Sequence, residues 1–243
     1  MQEPELIFPP GMPNGVSVAI TTRVGGVSEG AFSGFNLAAH VEDNPAFVQL
    51  NRELLADHIG LEQAPLWLEQ VHGNAVVPAS VPASVSVRAN SVPPEADGSF
   101  TTEKGLPLAI MTADCLPIVL WDHSETLVCA LHAGWRGLAN GIIATGAKLF
   151  RGNFSAFVGP GIGPCHYEVD QQVREHFGSG AAFTASRPGH YQFNLALEAR
   201  EQLLAAGADK VEMMSVCTAC DDRFYSYRRD GQTGRFATLA WLG

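Results

Sequence analysis

Three apolar runs crowd the middle of the chain: LPLAIM (106–111), LPIVLWD (116–122) and TLVCALHAG (126–134), separated only by TADC and HSE. Short continuous apolar runs bounded by turn residues predict buried strands. GVSVAITTR (15–23) adds a β-branched strand, and FSAFVG (154–159) another. Polar-apolar periodicity of the helical kind appears in DNPAFVQLNRELLADHIG (43–60), where Asp43 or Asn44 can cap, Pro45 suits the first turn and Gly60 the C-terminal position. Further helices are predicted from about Leu138 to Phe150, over VDQQVREHFG (169–178), and over NLALEAREQLLAAG (194–207). PLWLEQVHGNAVVPAS (65–80) reads as an interrupted strand. The stretch 81–98 reads as an irregular excursion, and the tail FYSYRRDGQTGRFATLAWL (224–242) as a hairpin turning at DGQTG.

Strands in neighbouring runs, rather than strict strand-helix alternation, argue against a doubly wound sheet. With no repeat and no clear boundary, the reading is one α+β domain over residues 1–243. Hydrophobic residues make up 46% of the chain and charged residues 16%, enough for a large core. A formal net charge of −10 makes nucleic acid and anionic membranes poor partners. No apolar stretch reaches the roughly 18–20 residues that span a bilayer, and the N-terminus lacks a basic-then-apolar secretory pattern. Five cysteines, an odd number without a dense framework, suit a reducing cytoplasm and free thiols. Oligomeric state stays open between a monomer and a small homo-oligomer.

Chemistry enters where the apolar runs stop. His72 in VHG, Cys115 in ADC and His132 in LHAG all sit at such ends, which converge at one edge of a sheet. Two imidazoles and a thiolate with a fourth position open match a catalytic zinc site. From position alone the reading of three buried residues with satisfied hydrogen bonds stands ahead of the metal site, because the spacing matches no local finger pattern. Asp114, beside the thiol, is either an orienter or general base, or a turn residue bonding its own backbone. Gly134-Trp135-Arg136 opens a predicted helix and offers an anion site, although such an arginine is often only solvated.

Three other features carry less. GPGIGPC (159–165) lacks the G-x-G-x-x-G spacing of a dinucleotide loop and reads as a plain loop. Cys217 and Cys220 form C-x-x-C without a second pair at zinc-ribbon spacing, and read as surface thiols or a redox pair. Arg228, Arg229 and Arg235 gather in the tail as an anion site or as solvated charges.

TTRVGGVS, FNLAAHVEDN, WLEQVHGN, MTADCLPIVL, HAGWRGLANG, VGPGIGPCHYEV and YSYRRDGQTGR, taken in order from residue 21 to 235, resemble the YfiH family, also called the laccase-domain or multicopper polyphenol oxidase family. The resemblance implies stacked mixed β-sheets flanked by helices, similar to a Cys-His toxin deamidase fold. It places the family's metal-binding residues on His72, Cys115 and His132, and makes the same three the catalytic residues. It also implies zinc-dependent phosphorolysis of adenosine, inosine, guanosine or methylthioadenosine, and deamination of adenosine, with nucleoside and phosphate as small-molecule partners. Arg23 and Arg136, both near glycines, are the expected substrate-binding cations.

The older family label is copper-dependent phenol oxidation. None of the eight histidines forms a His-x-His pair, so a multicopper cluster is excluded, whereas one copper suits a two-His, one-Cys donor set. Two other readings remain. One is a Cys-His hydrolase or amidase editing peptidoglycan precursors, with Cys115 as nucleophile and His132 as base. The other is a non-catalytic module around a structural zinc, for which no fourth ligand stands out among His40, Cys165 and His166.

Overall fold

The computed structural model describes residues 2–80, 92–178 and 180–243. The excursion expected over 81–98 therefore falls largely outside the described residues. Among the described residues are thirteen strands: β1 (Leu6–Ile7), β2 (Val16–Thr21), β3 (Val76–Pro78), β4 (Gly98–Thr101), β5 (Leu108–Thr112), β6 (Leu116–Asp122), β7 (Val128–Ala133), β8 (Phe154–Val158), β9 (Glu168–Asp170), β10 (Phe183–Arg187), β11 (His190–Phe193), β12 (Ala208–Met213) and β13 (Phe236–Leu242). The α-helices among them are α1 (Pro45–Ile59), α2 (Trp135–Ala139), α3 (Ile142–Ala147), α4 (Gln171–Glu175), α5 (Leu195–Ala205) and α6 (Tyr227–Asp230).

The strands form a four-stranded sheet ordered β1-β2-β13-β5, a six-stranded sheet ordered β12-β8-β6-β7-β4-β3, and a small sheet β10-β11-β9. The six-stranded sheet is mixed: β12 runs parallel to β8 and β3 to β4, while β6 is antiparallel to both neighbours. This is the α+β arrangement of mixed sheets and helices that the sequence predicts.

Alternation along the strands shows how the layers stack. Leu116, Ile118 and Leu120 of β6 enter a core shared with α3, α5 and the small sheet, whereas Val119 and Trp121 point into the core between the two large sheets. On the four-stranded sheet, Leu108 and Ile110 of β5 face that same middle core, and Ala109 and Met111 face α1. The central strands are thus buried on both faces, which is why their sequences are continuous apolar runs with no polar alternation.

The α1 helix forms where predicted. Asn44 is its cap, accepting from Ala46 N, and Gly60 closes it at φ 71°. Asp43 turns instead to Ser28 Oγ and Asn36 Nδ2.

Several predicted elements differ. Of the strand expected over 65–80 only Val76–Pro78 is one, and the helix expected over 169–178 is confined to Gln171–Glu175. The helix expected from Leu138 to Phe150 is two short helices, broken at Gly141, which takes φ 82° and starts α3 in a new direction. The tail is no hairpin. Ser226 Oγ accepts from Arg229 N and caps the single turn α6, so only β13 is a strand there. Buried Phe224 and Tyr225 anchor the chain just before that turn.

Candidate metal centre and its surroundings

β5 belongs to the four-stranded sheet and β6 to the six-stranded one, so Ala113-Asp114-Cys115 is the step by which the chain passes between layers. A three-residue step needs a sharp turn, and Asp114 supplies it at φ 93°. Cys115 emerges half-buried at the sheet edge. His132, on β7, pairs in register with Pro117 and is buried. His72 comes from a turn with φ 62°, and its ring lies edge-on to that of His132 with centroids 4.8 Å apart. The ligand atoms of His72, Cys115 and His132 all lie within 4.8 Å of one another. The three residues therefore do converge, His72 from a turn and not from a strand end.

Close approach here depends on Gly134. A Cβ at that position would lie 2.7 Å from Cys115 Sγ and 3.5 Å from His72 Cδ2. The glycine read from the sequence as part of an anion site is thus a steric clearance for the thiol. The α2 helix it precedes has only five residues.

The orienting carboxylate is Asp97, immediately before β4, and not Asp114. Asp97 Oδ1 sits 2.7 Å from His132 Nδ1, and the carboxylate also accepts from the amides of Val71, His72 and Gly73. Its side chain is fully buried. One acid thereby fixes both histidine-bearing segments, and with His132 Nδ1 engaged, Nε2 is left for the Cys115 side. Nothing in the stretch ending PEADG marks this residue in the sequence, because its four donors come from two separate segments. Asp114 acts elsewhere. Its Oδ1 accepts from Thr218 Oγ1 at 2.6 Å and its Oδ2 from Arg228 N at 2.7 Å. It ties the Cys115 turn to the tail, with both carboxylate oxygens engaged in doing so.

The electrostatics follow from this arrangement. Burial would raise the Cys115 thiol, but the charge on His132 and hydrogen bonds from His132 and His72 outweigh it and bring the thiol down to about 6. Burial would lower His132; the Cys115 thiolate and the Asp97 carboxylate overcome that and raise it to about 9. For Asp97 the burial penalty is likewise outweighed, by His132 and the Gly73 and His72 amides, so its carboxyl lies below the usual range. A thiolate, an imidazolium and a carboxylate in sequence are mutually stabilised. Cys129, buried among apolar neighbours without such partners, has its thiol pushed far up.

Arginines other than the two expected ones lie near this group. His40 is lowered, first by burial and then by the charges of Arg235 and Arg52, and it also senses His132 and His72. Arg52 donates from Nε to Leu37 O and stacks on Trp67 at 4.0 Å; burial alone lowers it to about 10. No carboxylate pairs with Arg52 among the described residues. Arg235 feels the charges of Cys115 and Asp114. Tyr167, largely buried, feels Cys115, Arg228 and Arg136.

Arg136 is exposed and stacks on Trp135. Arg23 lies over the Tyr225 ring, donates to Ser33 O, and lines a cavity of about 380 Å³ with Val24, Gly25, Gly26 and Ser28. Among the described residues, no hydrogen bond or ion pair joins either arginine to the Cys-His group. In the tail, Arg229 is taken up by Asp230 and the carbonyls of Thr218 and Phe224, and Arg228 by the carbonyls of His166 and Glu168.

The pair Cys217 and Cys220, read as surface thiols or a redox pair, is met by Cys165 and His166 from the 159–166 loop. All five cysteines are free.

The donor set at His72, Cys115 and His132 fits a metal. Two imidazole nitrogens and one thiolate suit zinc, and a carboxylate on the far nitrogen of His132 is the usual support of such a ligand. His72 is exposed, so the group is reached by solvent on that side.

The chain matches, over residues 17–243, the family model described as multi-copper polyphenol oxidoreductase laccase. It is 42% identical over 240 residues to a protein of Pseudomonas aeruginosa named purine nucleoside phosphorylase, covering 95% of each chain. To the purine nucleoside phosphorylase YfiH of Escherichia coli (strain K12) it is 37% identical over 238 residues, again covering 95% of each. Among solved structures, a Neisseria meningitidis protein superposes with a TM-score of 0.89 at 37% identity, covering 98% of both chains. YlmD of Geobacillus stearothermophilus does so with 0.86 at 34% identity, covering 94% of this chain and 92% of that one. Sequence and fold agree over nearly the whole length: this chain belongs to the YfiH family.

Proposed function

We propose that this chain is a zinc-dependent purine nucleoside enzyme. It cleaves adenosine, inosine, guanosine or methylthioadenosine with phosphate, and also deaminates adenosine. The observation that carries the reading is the Asp97–His132–Cys115 chain with His72 completing a three-donor, open-sided centre. The names of the relatives supply the substrate class. Zinc held by His72, Cys115 and His132 would supply Lewis-acid activation of an oxygen.

The chain's own residues do the rest. Asp97 holds the proton on His132 Nδ1, so that Nε2 keeps one orientation toward Cys115. Phosphorolysis needs an anion positioned under the ribose, where a phosphate oxygen bonds to C1′ as the C1′–N9 bond breaks and the purine leaves with the electron pair. Arg52 and Arg235, set around His40 beside the centre, are the cations best placed to hold that phosphate. Their low exposure strengthens the attraction relative to water. Arg136, on the Tyr167 side, and Arg23, on its separate cavity, keep a part in binding the nucleoside only if substrate bridges to them. The protein works in the cytoplasm, where its five free thiols stay reduced.

Purified protein incubated with adenosine or inosine and phosphate tests this. Free base and ribose 1-phosphate are expected, with inosine from adenosine even without phosphate. Neither product appearing, with Cys115→Ala behaving like the parent, overturns it.

One observation favours a second reading. With its thiol near 6 and a carboxylate-backed imidazole beside it, Cys115 has the setting of a cysteine nucleophile, as in an amidase acting on peptidoglycan precursors. Activity that survives complete removal of metal belongs to that reading. A single-copper phenol oxidase, by contrast, would lose its activity when zinc replaces copper.

A further inference from the structure

The four side chains Cys165, His166, Cys217 and Cys220 have no part in the centre described above. Two loops bring them together: 159–166, following β8, and 214–220, following β12. The loops are held side by side by Thr218 N donating to Gly161 O and Gly161 N to Val216 O. Three thiols and an imidazole then meet at the surface, with Cys165, His166 and Cys220 exposed. Packing does not explain this, since unpaired cysteines are usually buried.

The distances do. Cys165 Sγ lies 3.6 Å from Cys220 Sγ. His166 Nδ1 lies 3.3 Å from Cys220 Sγ and 3.8 Å from Cys217 Sγ. All four ligand atoms fall within 4.8 Å of one another. A tetrahedral zinc with Zn–S of about 2.3 Å and Zn–N of about 2.0–2.1 Å requires edges of about 3.8 Å between sulfurs and about 3.6 Å from sulfur to nitrogen. These three edges match that tetrahedron within a few tenths of an ångström.

Support for the ligands is also in place. Gly163 N donates to Cys217 Sγ at 3.1 Å, as backbone amides do to ligating thiolates. A Cβ on Gly163 would press at 3.0 Å on Cys217 Cβ and at 3.3 and 3.4 Å on the sulfurs of Cys217 and Cys165, so the loop needs glycine there. Cys220 N and Asp221 N both donate to Cys217 O, giving the tight C-x-x-C turn that aims two sulfurs at one point. Arg228 binds the carbonyls of His166 and Glu168 and braces the loop from behind.

We propose that Cys165, His166, Cys217 and Cys220 bind one zinc ion in a closed structural site, separate from the three-donor centre. Four protein donors leave no position for substrate, so the ion serves structure. It acts on what the two loops hold. Thr218, between the two cysteines of the C-x-x-C, donates to Asp114 Oδ1, and Ile162 N donates to Asp114 O at 2.8 Å. The ion therefore fixes both loops that clamp the turn bearing Cys115. The link to catalysis rests on the function proposed above; the site itself does not.

Metal analysis of the full chain, purified under reducing conditions and dialysed against zinc-free buffer, tests the proposal. Two zinc ions per chain are expected in the parent, one in Cys115→Ala and one in the double variant Cys217→Ser/Cys220→Ser. Because the double variant can fail to fold, cobalt(II) is also titrated into metal-stripped Cys115→Ala, where the four ligands are intact. One cobalt per chain with thiolate-to-metal charge transfer and intense tetrahedral bands is expected. A Cys115→Ala chain that holds no metal, a cobalt spectrum without thiolate bands, or a disulfide joining Cys165, Cys217 or Cys220 in the reduced preparation overturns the site. A chain with zinc only in the four-ligand site would instead sink the three-donor centre and leave this one standing.

Discussion

Asp97 Oδ1 lies 2.7 Å from His132 Nδ1 inside the protein, while the same carboxylate collects the amides of Val71, His72 and Gly73. A single buried acid thus positions both imidazoles of the centre, one through its ring and the other through its backbone.

Asp97→Asn keeps the volume and changes the charge. The amide can no longer stabilise an imidazolium, and its NH₂ opposes one of the incoming donors. Zinc affinity at the three-donor centre should fall about 10- to 100-fold, read by competition with a chelator. Asp97→Ala also strands four donors in the interior and should cost about 3–5 kcal/mol in denaturant unfolding. Unchanged zinc affinity in Asp97→Asn would show that the His132 ring needs no carboxylate.

Gly134→Ala places a methyl 2.7 Å from Cys115 Sγ. The thiol has to move, so the variant should lose most of its activity and one bound zinc, at a stability cost of only about 1–3 kcal/mol. Metal content and a thermal melt on the same sample separate the two effects. Full zinc binding in this variant would contradict the tight approach.

Alkylation of Cys115 in metal-stripped protein should follow its lowered thiol. An ordinary cysteine near 9 is about 1% thiolate at pH 7, whereas one near 6 is about 90%. The iodoacetamide rate should therefore rise with pH and level off above about 7, with its midpoint near 6. Zinc should abolish the reaction by occupying the sulfur. In His132→Ala the midpoint should climb back toward the ordinary range, since the main lowering charge is gone. A midpoint near 9 in the parent would remove the ion pair.

Asp114 and Asp97 should separate cleanly. Asp114→Asn retains an acceptor for Thr218 or Arg228 and a residue tolerant of positive φ, so a loss of about 1 kcal/mol is expected. Asp114→Val loses both bonds and places a β-branched residue at φ 93°, with an expected cost of about 3 kcal/mol or more. The pH profile of activity should not change in Asp114→Asn, as it would if this residue were the general base.

Asn51 offers a control away from the centre. Buried in α1, it accepts from Val27 N and donates to Ser28 Oγ and Asn36 O, holding the glycine-rich loop that begins at Val24. Asn51→Leu should cost about 2–4 kcal/mol in unfolding, from unpaired buried groups, without altering zinc content.

Some of this was legible in the chain itself. Continuous apolar runs at 106–111, 116–122 and 126–134 marked buried central strands because those strands are covered on both faces. The α1 boundaries were written in Asn44, Pro45 and Gly60, whose local conformations are set by their own chemistry. His72, Cys115 and His132 stood out because an acid, a thiol or an imidazole at the end of an apolar run is costly without a partner. The failures were also local. A helical pattern continued past Gly141, but a glycine free to take positive φ broke it, and the DGQTG turn signal was overridden by the Ser226 cap.

What only the tertiary structure decided is which residues are partners. Asp97 became the orienting acid because β4 lies beside β7 and the 71–73 turn folds over its carboxylate, a coincidence of three segments that no spacing encodes. The joining of Cys165 and His166 with the C-x-x-C some fifty residues later required β12 to lie parallel to β8. Sequence fixes a residue's chemistry and its local conformation, since these depend on near neighbours. Partnership depends on strand order and sheet stacking, which are set by burial of the whole core.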